Sequence, residues 1–198
     1  MSAPTKVSLR APTTVAGSSS TPPGDAPSLD WMLGTWHVTH ATLPMWKSKC
    51  NVRITYTKLP PAGDDSHPRV DDLVEYQSPG NPKTKSVNGI SRSDPKAGLS
   101  PGWAWHWRGK GLLKIASSNW EVLGYGEVND GGEPNSFIVT YFTKTLFTPA
   151  GIDVYSRNKK LSESTLASIK GALEGFEDPA LKKLSGEIFE VPTEDSKP

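Results

Sequence analysis

Apolar and polar residues alternate along most of the chain between residues 34 and 157, which is the periodicity of half-buried β-strands. In the first run, Trp36, Val38 and His40 share one face of a strand that ends before Pro44. Further alternating runs follow at hairpin spacing, separated by turns rich in proline and glycine. The pattern predicts eight to nine short strands and an all-β fold, an up-and-down antiparallel barrel. Such a barrel is just wide enough to hold one small ligand.

A helical period appears only after the last predicted strand. Leu166, Ile169 and Leu173 follow the i, i+3, i+7 spacing of a helix lying on a core, and Ser162 can cap its first turn. These residues predict a C-terminal helix over about residues 162–175 that packs on the barrel.

Residues 1–27 are mostly serine, threonine, proline, alanine and glycine, with few large apolar side chains. Such a composition buries too little apolar surface to offset the entropy lost on ordering. We therefore expect a disordered N-terminal tail over residues 1–27. The barrel domain is expected over residues 28–198, including the C-terminal helix.

The overall charge argues against polymeric and membrane partners. The 198 residues carry a net charge of +1, which gives no electrostatic footprint for DNA, RNA or an anionic membrane. No run approaches the ~20 apolar residues that span a bilayer. We therefore expect neither nucleic acid nor membrane as a partner, and the sequence does not indicate an oligomeric state.

Cysteine and histidine give no metal-binding pattern. Cys50 is the only cysteine, which excludes an intramolecular disulfide and a cysteine-based zinc site. His37 and His40 differ in strand parity and cannot jointly hold one metal ion from a regular strand. We expect no metal and no cofactor. The N-terminus lacks an apolar run of signal-peptide length, so the expected setting is the reducing cytoplasm.

Tryptophan is the unusual component, with seven residues in a chain of this size. Trp103, Trp105 and Trp107 alternate, so their indoles line one face of a strand, either as the wall of a pocket or as part of the core. Met45 and Trp46 occupy a loop, where they form either a lid packed on the barrel or a portal for an apolar ligand.

Strand parity does not decide whether the carboxylate of Glu75 faces the interior or the solvent. If Leu73 faces inward, Glu75 is a buried carboxylate with acid–base potential. If Val74 and Tyr76 face inward, Glu75 is merely solvated, and counting apolar residues favours this second arrangement.

Gly34-Thr35-Trp36 opens the first predicted strand. With the meander of strands behind it, the chain resembles the calycin superfamily, which includes lipocalins, intracellular fatty-acid-binding proteins and nitrobindin-like barrels. Lipocalins often carry a late arginine packed over the entry tryptophan, and Arg157 matches it by order and type. Nitrobindin-like members bind haem through a histidine near the C-terminus, whereas the last histidine here is His106, so haem is not expected.

We expect the barrel to hold one small, largely apolar organic molecule. The candidate ligand-binding residues are Trp36, Met45, Trp46, Trp103, Trp105, Trp107 and Tyr125. The alternative is a cofactor-independent isomerase or cyclase, for example a pericyclase-like enzyme that orients a natural-product intermediate for reaction. Strand parity makes His40, Tyr56 and Tyr141 the candidate donors or bases for that chemistry.

Overall fold

The computed structural model describes residues 7–15, 22, 24–63, 65–95, 99–130, 132–146 and 148–194. The strands in this part of the chain are β1 (Gly34–Ala41), β2 (Cys50–Leu59), β3 (Arg69–Ser78), β4 (Asn81–Ser93), β5 (Ala104–Gly109), β6 (Ser117–Asp130), β7 (Glu133–Phe142), β8 (Gly151–Ser156) and β9 (Phe189–Glu190). The helices are α1 (Leu29–Met32), α2 (Glu163–Glu174) and α3 (Pro179–Glu187), with single 3₁₀ turns at Pro44–Trp46 and Gly111–Leu113.

Eight of these strands close into an antiparallel barrel. Each strand from β1 to β8 pairs with the next along the chain, and β1 also pairs with β8, which closes the sheet. The short β9 pairs with the end of β1, at His40 and Ala41. The predicted up-and-down barrel with a C-terminal helix is therefore confirmed.

The connections between antiparallel strands alternate between the two ends of the barrel. We call the end that holds α1 and the start of β1 the closed end. We call the other end, with the β1–β2, β3–β4, β5–β6 and β7–β8 connections, the mouth.

Two apolar clusters lie on opposite faces of the sheet. The inner cluster lies inside the barrel and includes Trp36, Val38, Val52, Ile54, Tyr56, Val70, Trp105, Trp120, Val122, Ile138 and Tyr155. The outer cluster includes Leu123, Phe137, Val139, Tyr141, Ile152, Val154, Ile169, Leu173 and Leu181. The last three belong to α2 and α3, so the two C-terminal helices cover this part of the outer face.

The C-terminal helix begins where its sequence predicts. The Ser162 hydroxyl accepts a hydrogen bond from the backbone N–H of Thr165 at 3.2 Å, which is the capping arrangement for a first helical turn. Ile169 and Leu173 are fully buried against the barrel. The predicted helix over residues 162–175 is confirmed, with α2 at Glu163–Glu174.

The N-terminal segment corrects one prediction. Residues 7–15, within the tail expected to be disordered, lie along the outer face of β6. The backbone N–H of Arg10 donates to the Leu123 carbonyl oxygen at 2.8 Å. A Cβ at Gly124 would lie 2.6 Å from the Leu9 side chain, so the missing side chain is what admits this segment. Residues 1–6, 16–21 and 23 lie outside the described residues.

A buried ion pair anchors that segment. The Arg10 guanidinium lies 2.8 Å from the Glu121 carboxylate, and the two side chains are 0% and 2% exposed. Arg10 also lies over the Trp103 indole, with its Cζ 5.4 Å from the ring centroid. Thr13 adds hydrogen bonds to the same carboxylate through its backbone N–H and hydroxyl. The composition of this segment predicted disorder because composition does not show that one arginine attaches the segment to a buried carboxylate on the barrel.

Candidate functional site

The closed end is built around Trp36, which is fully buried. Its indole N–H donates to the Met32 carbonyl oxygen at 2.8 Å. The Arg157 guanidinium stacks on the other side, with its Cζ 3.6 Å from the ring centroid, and donates to the carbonyl oxygens of Leu33 and Thr35 at 2.8 and 3.0 Å. Arg157 thus occupies the position that the lipocalin resemblance implies.

Two more candidate ligand residues lie at this end. The Tyr125 ring centroid is 6.0 Å from that of Trp103 and 5.0 Å from that of Trp31. The Tyr125 hydroxyl donates to the Asp25 carbonyl oxygen at 3.0 Å. Trp36, Trp103 and Tyr125 therefore form the floor of the barrel, and the other candidates lie nearer the mouth.

A stack of three aromatic rings forms the wall inside the barrel. The Trp105 and Trp120 centroids are 5.5 Å apart with an interplanar angle of 9°, and Tyr56 lies on Trp120 at 6.0 Å and 10°. Trp107 is half-buried and lies one pleat closer to the mouth on the same face. Trp105, Trp107 and Tyr56 therefore face the interior of the barrel.

Polar groups enter this aromatic interior from two strands, β3 and β8. Asp72 is 5% exposed, and its carboxylate accepts a hydrogen bond from the Ser91 hydroxyl at 2.8 Å. The same hydroxyl oxygen accepts from the Trp120 indole N–H at 3.1 Å. Asp153 is 1% exposed, and its Oδ2 accepts from the Trp46 indole N–H at 3.0 Å.

Part of this polar group has no protein partner. Asp153 Oδ1 is buried and makes no hydrogen bond to any described residue. The Tyr155 hydroxyl is also buried, and its neighbours include the hydroxyl groups of Tyr56 and Thr140. Buried polar atoms in folded proteins nearly always have a partner. Cross-strand pairing places both residues on the inner face, Asp153 opposite Thr140 and Tyr155 opposite Ile138. The two atoms therefore supply one acceptor and one hydroxyl to whatever enters the barrel.

Burial shifts the proton equilibria of these groups. Loss of hydration raises the pKa of Asp153 to about 7 and that of Asp72 to about 6, although hydrogen bonds from Trp46 and Ser91 oppose the shifts. Burial likewise raises the pKa of Tyr56 and Tyr155 well above the ordinary value, and the neighbouring acidic side chains add to it. The interior thus holds two carboxyl groups that exchange protons near neutral pH.

The mouth is covered by Trp46. This residue is 5% exposed, packs edge-on against Tyr76 at a centroid distance of 6.3 Å and points its indole N–H at Asp153. Its neighbour Met45 is 48% exposed. Of the two arrangements predicted for this loop, the structure has Trp46 in the position of a lid and Met45 on the rim.

Two of the three predicted catalytic residues do not face the interior. The register of β1 against β8 shifts between Val38 and His40, so this bulge places His40 opposite Val154, on the outer face. Tyr141 pairs with Ile152 in the outer cluster beneath the helices. The interior placement of His40 and Tyr141 is therefore wrong, because unbroken alternation was assumed for β1 and the opposite face was assigned to β7.

The residues that the sequence missed are Asp72, Asp153 and Tyr155. Asp72 is in phase with Val70 and therefore carries a parity signal for the inner face. The open question about Glu75 is settled in favour of the second arrangement, with Val74 and Tyr76 against the inner cluster. The Glu75 carboxylate accepts a hydrogen bond from Arg53 Nε at 3.0 Å, and both side chains are partly exposed. Within the described residues, no cluster of three or more histidine, cysteine, aspartate or glutamate side chains could hold a metal ion.

The buried carboxyl groups predict the pH dependence of stability. Between about pH 4 and pH 7 the folded chain keeps a proton on Asp153 that the unfolded chain has released, so this residue makes the free energy of unfolding fall as the pH rises. Asp153→Asn removes this contribution and keeps an oxygen acceptor for Trp46. We expect the stability of wild type relative to the variant to fall by about 1 kcal/mol per pH unit within that window. Denaturant unfolding at a series of pH values measures it, and a constant difference would contradict a raised Asp153 pKa.

Comparison with known proteins identifies the fold. The chain matches no family model and no curated protein. Among solved structures, apocrustacyanin C2 matches with a TM-score of 0.50 at 12% identity, over 84% of this chain and 79% of that chain. The siderocalin Ex-FABP matches with a TM-score of 0.50 at 12% identity, over 83% and 95%. A biogenic amine-binding protein matches with a TM-score of 0.51 at 16% identity, over 87% and 86%. The chain has the lipocalin fold, as the calycin resemblance predicted.

Proposed function

We propose that this chain binds one small, largely apolar organic amine inside the barrel. The aromatic body of the ligand packs on the stack of Tyr56, Trp120 and Trp105, and its ammonium group binds Asp153. The observation that carries the proposal is the unpartnered Asp153 Oδ1 near the Tyr155 hydroxyl, in an interior that contains a stack of three aromatic rings.

The chemistry of the interior favours an amine over other polar ends. A cation offsets the unfavourable burial of two carboxylates, whereas an anionic ligand adds a third negative charge. Aromatic faces also attract cations, most strongly in a water-poor site. One protein with the same fold is named for binding biogenic amines. At 16% identity that likeness shows the fold alone, so the amine proposal rests on the residues.

Entry to the interior requires Trp46 to move. Its indole covers the mouth and occupies Asp153 Oδ2. Displacement of Trp46 by a ligand ammonium would exchange one hydrogen bond to this carboxylate for a stronger, charge-assisted one. Met45 and Trp46 therefore act as a lid in this proposal, and ligand binding is expected to change the fluorescence of Trp46.

A matched pair of ligands tests the proposal. Titration with 2-phenylethylamine at pH 7 is expected to change the tryptophan fluorescence saturably, whereas the neutral isostere propylbenzene binds at least about tenfold more weakly. Equal affinity for the two compounds would refute the role of the carboxyl groups. The absence of any saturable response to either compound would refute an apolar amine as the ligand.

Adjacent carboxylates on β3 provide the control variants. Asp72 faces the interior, whereas Asp71 forms an ion pair with Lys110 on the outside. Asp72→Asn is expected to weaken amine binding by about tenfold, because one buried negative charge is lost. Asp71→Asn is expected to leave the dissociation constant unchanged. Equal effects of both variants would show that binding does not depend on the interior.

One observation favours catalysis as a second candidate function. The carboxyl group of Asp153 has a pKa of about 7 and shares the interior with the Tyr155 hydroxyl, a combination suited to general acid–base chemistry at neutral pH. A cofactor-independent isomerase or cyclase would then use these residues and Tyr56, in place of His40 and Tyr141. Chromatography of a bound compound after incubation with the protein tests this candidate. Recovery of the compound unchanged would exclude catalysis and leave binding as the function.

The cytoplasm is the setting that we propose. Cys50 is a buried free thiol, which a reducing compartment maintains. No helix in the described part of the chain is long and apolar enough to cross a membrane. Fractionation of cells that express the full chain measures its location.

A further inference from the structure

The exposed apolar residues of this barrel gather at one end. Among the described residues, five large hydrophobic side chains are exposed: Met45 (48%), Leu112 (100%), Leu113 (40%), Ile115 (95%) and Leu146 (94%). They lie in the β1–β2, β5–β6 and β7–β8 connections, which are three of the four connections at the mouth. A set of exposed apolar side chains on one surface marks an interaction site more often than scattered single residues do.

The same end carries an uncompensated positive charge. We define the mouth rim as residues 42–49, 79–86, 110–116, 143–146 and 148–150, that is, the described residues of the four connections with the start of β4. The rim sequence contains no aspartate or glutamate and seven lysines: Lys47, Lys49, Lys83, Lys85, Lys110, Lys114 and Lys144.

The acidic groups near the rim, which include Glu190 opposite His40, offset only part of this charge. Asp71 pairs with Lys110, and Glu194 of the C-terminal segment accepts a hydrogen bond from the backbone N–H of Gly80 at 3.4 Å. Lys110 is the only one of the seven rim lysines that makes an ion pair with a described residue. At the closed end, the connection over residues 60–68 carries two aspartates and neither lysine nor arginine. The rim therefore carries more lysines than the closed end, where Arg157, Lys159 and Lys160 follow β8.

We propose that the mouth rim docks on the surface of an anionic lipid bilayer. Apolar tips set among lysines fit a bilayer, because the apolar side chains enter the acyl boundary while the ammonium groups contact anionic headgroups. The net charge of +1 argues against a membrane partner only if the charge is evenly spread, and here it is concentrated at one end. Docking in this orientation holds the lid at Trp46 against the lipid surface.

Binding to vesicles tests this proposal with the full chain. We expect sedimentation with vesicles of phosphatidylcholine and phosphatidylserine, and none with phosphatidylcholine alone. Binding is expected to weaken as the ionic strength rises, because the lysines contribute through screened charge. Equal binding to both vesicle types, or no binding to either at low ionic strength, would overturn the proposal.

Surface variants separate the rim from the rest of the molecule. Lys114→Glu and the double variant Leu112→Ser with Ile115→Ser are each expected to weaken vesicle binding by about tenfold. Lys58→Glu is the control, because Lys58 is also exposed but lies at the closed end beside Asp30. An equal loss in Lys58→Glu would overturn the proposal, since binding would then follow total charge.

A second copy of the chain is the competing occupant of these apolar tips. Analytical ultracentrifugation that shows a dimer, dissociated by the Leu112→Ser and Ile115→Ser double variant in a chain that does not bind vesicles, would replace the lipid surface with a self-interface. These measurements use no amine ligand, so this proposal and the proposed function can fail separately.

Discussion

Replacing Arg10 by alanine is expected to lower the free energy of unfolding by about 3–5 kcal/mol. The substitution leaves the Glu121 carboxylate buried at 2% exposure without its cation, which lies 2.8 Å away in the wild type. It also removes the guanidinium from the Trp103 face. Chemical denaturation followed by tryptophan fluorescence measures the change. Stability within about 0.5 kcal/mol of wild type would show that residues 7–15 do not hold to the barrel.

A double variant separates the ion pair from the packing. Arg10→Met combined with Glu121→Leu removes both charges and keeps apolar volume at both positions. Because two matched apolar side chains often replace a buried ion pair without loss, the double variant is expected to recover most of the stability that Arg10→Ala loses. A double variant as unstable as Arg10→Ala would place the effect in packing and not in the unpaired carboxylate.

Replacing Trp36 by alanine is expected to destabilise the barrel by about 3–5 kcal/mol. The indole is fully buried, donates to the Met32 carbonyl oxygen and supports the Arg157 guanidinium at 3.6 Å. Trp31→Ala is the matched control, because Trp31 lies at the same end, with centroids 5.2 Å apart, but is only half-buried. The control is expected to lose less stability. An equal loss in both variants would contradict the organising position of Trp36.

The fold could be predicted because its signals are local. Alternation of period two, turns at regular spacing and a later helical period define the barrel and α2 without reference to distant residues. The match of Arg157 to Trp36 came from the calycin resemblance, and the closed end bears it out. The strands and α2 depend on backbone periodicity, which the sequence carries directly.

The attachment of the N-terminal segment could not be predicted from composition. Arg10 looks like a solvated charge among small polar residues, and its partner Glu121 is 111 positions away in β6. Only the closed barrel brings the two together. A glycine inside a strand, such as Gly124, is typical of a close backbone approach, but nothing in the sequence connects it with Leu9.

The interior site was only partly predictable, because the alternation of inward and outward side chains along a strand is interrupted at bulges. The bulge between Val38 and His40 moves the His40 side chain to the outer face, and no residue type in β1 predicts this bulge. Asp153 lies between two apolar residues, Ile152 and Val154, so its polarity suggests the outer face, yet α2 and α3 cover that face and the carboxylate turns inward. Burial of both faces removes the usual rule that polar residues point to water.

The indole N–H signals in the NMR spectrum test most directly where the ligand binds. Each of the seven tryptophans gives one such signal, which single tryptophan-to-phenylalanine variants assign. Addition of 2-phenylethylamine is expected to shift the signals of Trp46, Trp105 and Trp120, which line the interior or cover it. The Trp31 signal, bonded to Glu127 at the closed end, is expected to remain in place. Saturable shifts confined to Trp31, or none from the interior tryptophans, would contradict a ligand site inside the barrel.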